Sequence, residues 1–237
     1  MTYGKHPKMV AADRAARIVG VIIPVQMVSG FLANFVLEKP LFGSPGFLVN
    51  AAPHSQQIAL AVLVALAMEA LMVAIAVTTF PILRERTPAL ALWFAALAVV
   101  TLAVAVVENS GVMSMVSVSQ KYVQEGAAER AQLESVRVIV ASARNWAHIL
   151  ARIVDGAALF VFYAALFRGA LVPRALAGFG LAATILQMIA VGMPLFGRDV
   201  IFPLLAPLGL CQLLLAVWLL SKGFRPRPTL DSVLTSG

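Results

Sequence analysis

Apolar residues do not alternate with polar ones along this chain; they run in blocks. Six windows are apolar over about 20 residues or more, at 18–37, 58–82, 89–108, 146–167, 175–196 and 200–221. A bilayer core of about 30 Å is crossed by about 20 helical residues at 1.5 Å each. Each window therefore predicts one membrane-spanning helix. A transmembrane barrel would show alternating segments of about ten residues, and no such segments occur. The expected fold class is all-α, a polytopic transmembrane bundle of six helices. The chain divides into an N-terminal segment, 1–17, a six-span domain, 18–222, and a tail, 223–237.

Two connections are long. Residues 38–57, "EKPLFGSPGFLVNAAPHSQQ", are rich in Gly, Pro and small polar residues, which predicts a structured loop rather than a helix. Residues 109–145 form the second loop. They contain "GAAERAQLESVRVIVASARN", whose helix formers and i,i+4 charges, such as Arg130 and Glu134, predict a solvated helix continuing into span four. Pro24 is expected to kink span one, whereas Pro203 and Pro207 fall in the first turns of span six, where proline is tolerated. Gly178 and Gly180, with Ala177 and Ala182, give span five a small face suited to close helix contact. The first apolar run is longer than a signal-peptide core, and no small-x-small cleavage site follows it, so it is read as a retained span.

Composition agrees. The 237 residues are 61% hydrophobic and 12% charged, with mean hydropathy +0.91; a soluble domain is roughly half apolar and a quarter charged. The net charge of +7 does not point to nucleic acid, because the basic residues are scattered at the ends of apolar runs, where they anchor to headgroups. Eleven of them (Lys5, Lys8, Arg14, Arg17, Arg84, Arg86, Arg168, Arg174, Lys222, Arg225 and Arg227) fall on the side of both termini. Five (Lys39, Lys121, Arg130, Arg137 and Arg198) fall on the other. The positive-inside rule then places both termini in the cytoplasm. Membrane lipids are the expected surroundings, and a membrane-complex partner or a second copy remains open.

The polar exceptions carry what functional signal there is. "RNWAHILARIVDGAALFVFYAALFRG", residues 144–169, puts Arg144, His148, Arg152 and Asp155 within an arc of about 80° on one face of span four. Counted from the cytoplasmic ends, Asn34, Glu69, Asp155, Gln187 and Arg152 all lie at a depth of about 20–25 Å. Glu108 and His148 lie near 30 Å, and Arg144 at about 36 Å, among the outer headgroups. Each isolated charge at such depth costs at least about 2.5–3.5 kcal/mol, so these groups must be paired, neutralised or hydrated. One deep arginine facing two carboxylates leaves excess negative charge, and one of Glu69 and Asp155 is expected to hold a proton at neutral pH.

The leading expectation is an outward-opening polar cavity lined by Asn34, Glu69, Glu108, His148, Arg152, Asp155 and Gln187. It would bind a small or lipid-like ligand, with proton coupling as part of that reading. Against it stands a structural or accessory subunit, in which the charges only fix helix register. A third reading is a lipid-modifying enzyme with His148 and Glu108 as acid and base. His148 and His54 with carboxylates lack any H-E-x-x-H spacing, so no metal is expected, and no cofactor motif occurs. Cys211 is the single cysteine and has no disulfide partner. Ser110, Ser114, Ser117 and Ser119 sit in no G-x-S-x-G elbow and read as solvating a helix end. Trp93, Trp146 and Trp218 suit interfacial belts.

Three stretches carry a resemblance: "RAARIVGVIIPVQMVSGFLANFVL", "KYVQEGAAERAQLESVRVIVASARNW" and "FYAALFRGALVPRALAGFGL". They resemble the entry into span one, the approach to span four and the Arg-Gly…Pro-Arg turn of a bacterial integral-membrane family catalogued as domain of unknown function 4386. The resemblance covers about 14–222 and implies a six-span protein of the bacterial inner membrane. It supplies no catalytic residues. The charged stripe of span four is richer here than in the family pattern.

Overall fold

The computed structural model describes residues 7–225; His6, Lys5 and residues 226–237 of the tail lie outside it. Six helices are long and apolar enough to cross a membrane, and no strand occurs among the described residues. They are α1 (Pro7–Phe31), α2 (Ser55–Arg86), α3 (Pro88–Gln124), α4 (Ala127–Arg168), α5 (Arg174–Gly192) and α6 (Ala206–Ser221). A π-helical segment, Leu32–Leu37, extends α1, and a 3₁₀ turn, Phe202–Leu205, leads into α6. Each helix packs on the next, and α6 returns to α1, which closes the bundle into a ring.

The α2–α3 and α3–α4 connections are very short, which makes those helices neighbours. A single residue, Thr87, separates α2 from α3: its amide and hydroxyl both donate to Leu83 O, and Pro88, lacking an N–H, opens the next helix where none is needed. Arg86, in the last turn of α2, donates to Gly169 O at 2.6 Å and Arg225 O at 2.8 Å. It thus satisfies carbonyls that the end of α4 and the segment after α6 leave open, and ties three elements together at the end of the bundle that holds both described termini.

The α3–α4 connection departs from expectation. Residues 109–124, read as loop, continue α3 to Gln124, and α4 begins at Ala127. The serines do not break the helix, because Ser110, Ser114 and Ser117 each donate to the carbonyl four residues back. Ser119 is not a solvating residue at all. It is buried, donates to Leu48 O and accepts from Ala52 N, both at 2.8 Å. It thereby fastens the 38–57 connection onto α3. That connection is also more helical than expected, with single turns at Lys39–Phe42 and Phe47–Asn50. At 1.5 Å per residue α3 and α4 are about 55 and 63 Å long, so their hairpin runs well past a bilayer core.

Two apolar clusters result. The larger occupies the end of the bundle with the termini and includes Val19, Met72, Phe94, Tyr163 and Leu215. The smaller caps the long-loop end, where Leu41, Phe47 and Leu48 pack on Ile58, Val112 and Met115. Small residues set the helix spacing within the larger one. A Cβ at Gly180 of α5 would overlap the ring of Tyr163 on α4, and Tyr163 is 1% exposed with no room to retreat. Gly180→Ala is therefore expected to cost about 1–3 kcal/mol by overpacking, read as a lower thermal midpoint of the detergent-purified protein, while Gly192→Ala, with open space around it, serves as the neutral control.

Candidate functional site

Between the two apolar clusters lies a polar layer. Residues 144, 148, 152 and 155 recur at helical spacing, so α4 alone presents two guanidiniums, an imidazole and a carboxyl to the bundle interior. Glu69 comes from α2, Glu108 and Asn109 from α3, Gln187 from α5, and Glu38 from the turn that follows the π-helical segment of α1.

These groups alternate in sign. Arg144 Nη2 donates to Glu38 Oε2 at 2.8 Å and lies 3.8 Å from Glu108 Oε1. That same carboxylate oxygen is 2.6 Å from His148 Nδ1, and Glu108 Oε2 is 3.6 Å from Arg152 Nη2. Arg152 then reaches Glu69 Oε1 at 3.3 Å and Asp155 Oδ2 at 2.9 Å. Gln187 Nε2 donates to the backbone oxygen of Arg152. Gly156 lets α5 come this near, since a Cβ there would press on Met188 and Gln187. Glu108 is thus the middle of a chain running Glu38, Arg144, Glu108, Arg152, and on to Glu69 and Asp155.

A cavity of about 20 Å³ opens onto the chain, lined by Asn34, Glu38, Glu69, Glu108, Asn109, His148 and Arg152 together with three apolar residues. A water needs about 10–15 Å³ by this measure, so the cavity holds one water-sized species. Three buried polar atoms border the network without a hydrogen-bond partner among the described residues: Arg144 Nε, Arg152 Nε and Gln187 Oε1. Such atoms are rare in folded proteins, and they mark the layer as incompletely satisfied by its own side chains.

Of the residues singled out from sequence, Glu69, Glu108, His148, Arg152 and Asp155 meet in one network. Gln187 joins through the backbone of Arg152 and, like Asp155, does not line the cavity. Asn34 lines the cavity from an exposed position, its amide spent on Gly30 O of its own helix. His54 stays apart, with Nδ1 2.8 Å from Asn50 O, and among the described residues no group of three His, Cys, Asp or Glu is placed to hold a metal. Arg144 is a correction. Expected among headgroups, it is 5% exposed, because the 38–57 connection folds over it with the Phe42 ring 5.0 Å from its guanidinium. Glu38, its partner, was not singled out; an acid immediately after an apolar run was the only signal.

Burial lifts the Glu38 carboxyl above its ordinary 4.5, with Arg144 pulling the other way. The folded state then holds that proton more tightly than the unfolded chain. Its contribution to stability is full below about 4.5 and declines as pH rises through the raised value. Between those limits the thermal midpoint of Glu38→Gln should vary less steeply with pH than that of the unaltered protein; equal slopes would show that Glu38 does not titrate on unfolding. For the network as a whole, Arg152→Gln should cost about 3–5 kcal/mol by leaving buried carboxylates uncompensated. Adding Glu69→Gln should restore part of that loss in the same unfolding assay.

A protein family described as "Domain of unknown function (DUF4386)" matches residues 18–223. No curated protein and no solved structure matches the chain.

Proposed function

We propose that this chain, which belongs to the DUF4386 family, is a multi-pass protein of the bacterial inner membrane whose polar layer binds protons in exchange for a small cationic ligand entering from the outer face. The observation that carries the reading is charge imbalance. Four carboxyls (Glu38, Glu69, Glu108 and Asp155) stand against two guanidiniums and one imidazole. Even with His148 protonated, one negative charge is left over. In surroundings of low dielectric an uncompensated charge is costly, and a proton or a cation must offset it.

Size narrows the ligand. A cavity of about 20 Å³ suits an ion or a water-sized species rather than a lipid chain. Access is one-sided in this reading, since the larger apolar cluster fills the bundle between the layer and the terminal end. The lysine and arginine bias makes the opposite end the outer one. The same network would also serve a purely structural clamp, because Arg144 and Arg152 join four elements.

Proton release separates the two readings. Detergent-purified protein in weakly buffered solution near neutral pH is challenged with sodium, potassium or methylammonium chloride while the pH is followed. Net acidification is expected with at least one cation, and Glu69→Gln and Glu108→Gln should abolish it. Constant pH with every cation, alongside variants that lose only thermal stability, makes the cluster a clamp and ends the proposal.

A further inference from the structure

A second cavity, of about 480 Å³, lies on another flank of α4, between that helix and the segment joining α5 to α6. Its volume is within the roughly 300–1,000 Å³ of ligand pockets. None of the residues of the polar network lines it. On α4, Arg137, Ala141, Asn145 and Ile149 recur in steps of four and so form one ridge, with Trp146 beside it. The facing wall is built by a 3₁₀ turn, Met193–Phe196, that stops at Gly197. With φ at 70°, Gly197 takes the left-handed conformation open to glycine and turns the chain so that Arg198 and Asp199 complete the lining.

The lining is graded. Between Arg137 and Ile149 the ridge runs about 18 Å along α4, from a charged end toward an apolar one. Phe196 and Phe202, on the joining segment, are exposed. Arg198 and Asp199 enter no ion pair among the described residues, and Arg137 pairs only with Glu134 on the surface, an interaction worth little in water. Two cations and one anion in the lining, beside apolar Trp146 and Ile149, complement a zwitterion that carries a phosphodiester and an ammonium. An amphiphile with that head group and an acyl tail matches both the charges and the gradient.

We infer that this groove binds a phosphoethanolamine lipid, with the phosphate on Arg137 and Arg198, the ammonium on Asp199, and an acyl chain running along Trp146 and Ile149. The site is independent of the polar layer and stands or falls separately from it.

The test uses Trp93→Phe with Trp218→Phe, which leaves Trp146 as the sole tryptophan of three. Its fluorescence is followed as phosphatidylethanolamine with brominated acyl chains is added to the protein in detergent. Saturable quenching is expected, with half-saturation about a hundredfold weaker in Arg137→Gln/Arg198→Gln, since each of the two charge-assisted hydrogen bonds removed is worth about a tenfold change in binding or more. Asp199→Asn should weaken phosphatidylethanolamine and spare brominated phosphatidylglycerol. Equal half-saturation with brominated diacylglycerol, or no effect of the double arginine variant, reduces the groove to ordinary lipid contact and overturns the inference. Displacement by inorganic phosphate as effective as by soluble phosphorylethanolamine overturns it in favour of a free anion. All the substituted groove side chains are exposed or nearly so, and an unchanged thermal midpoint confirms that the variants remain folded.

Discussion

Glu108 sits within 3.8 Å of three cationic or protonatable groups, Arg144, His148 and Arg152, and the bundle is arranged so that all three can reach it. A carboxylate at this depth, 7% exposed, is largely cut off from bulk water. Its compensation must come from helices that are fixed relative to α3. That requirement explains why α4 carries its charged residues in strict helical register, and why α3 and α4 are the most extensively packed pair in the ring. A one-residue rotation of α4, about 100°, would carry Arg144, His148 and Arg152 away from the carboxylate together. The network therefore specifies the register of the longest helix in the chain, whatever else it does.

The apolar parts serve that layer from both sides. Toward the termini, the larger cluster is built from alanines and glycines that bring helices close and large side chains that fill the remainder, as at Gly180 and Tyr163. Toward the long loops, the smaller cluster depends on a hydrogen-bonded seat, because Ser119 holds Leu48 and Ala52 in place while Phe47 and Leu48 cover Val112 and Met115. The same connection carries Glu38 to Arg144, so the segment joining α1 to α2 is part of the site rather than a cover for it.

Much of this was legible in the chain. Six apolar blocks predict the six-helix bundle, whereas the return of α6 onto α1 that closes it has no local signal. A depth ruler puts Glu69, Arg152 and Asp155 at one level with Glu108 and His148 just beyond it, and a helical wheel puts His148, Arg152 and Asp155 on one face of span four; the five meet in the network. Legibility failed where tertiary contacts override local signals. The serines of 110–119 look like a helix end, yet back-bonding inside the helix and a buried partner for Ser119 keep α3 intact for another four turns. Arg144 looks like a headgroup anchor because the ruler stops at a flat membrane, whereas the protein continues past it and folds Phe42 and Glu38 over the guanidinium. Glu38 itself lies in a segment that periodicity does not describe, so nothing local marks it as a partner for a residue 106 positions away.

α4 emerges as the element on which both sites turn. One flank carries the charged stripe that compensates Glu108; the other supplies the ridge of Arg137, Asn145 and Ile149 that walls the open groove. The two flanks differ in constraint. Groups facing the bundle are held by several partners at once, so displacing any one of them disturbs a chain of ion pairs in low dielectric. Groups facing the groove are exposed and weakly tied, so their side chains can adjust to an occupant at little cost. The result is a helix stiffly fixed in rotation by its interior face yet free to offer its exterior face to the surrounding lipid, which is why a single long amphipathic element can carry an inward charge network and an outward binding surface without either compromising the other.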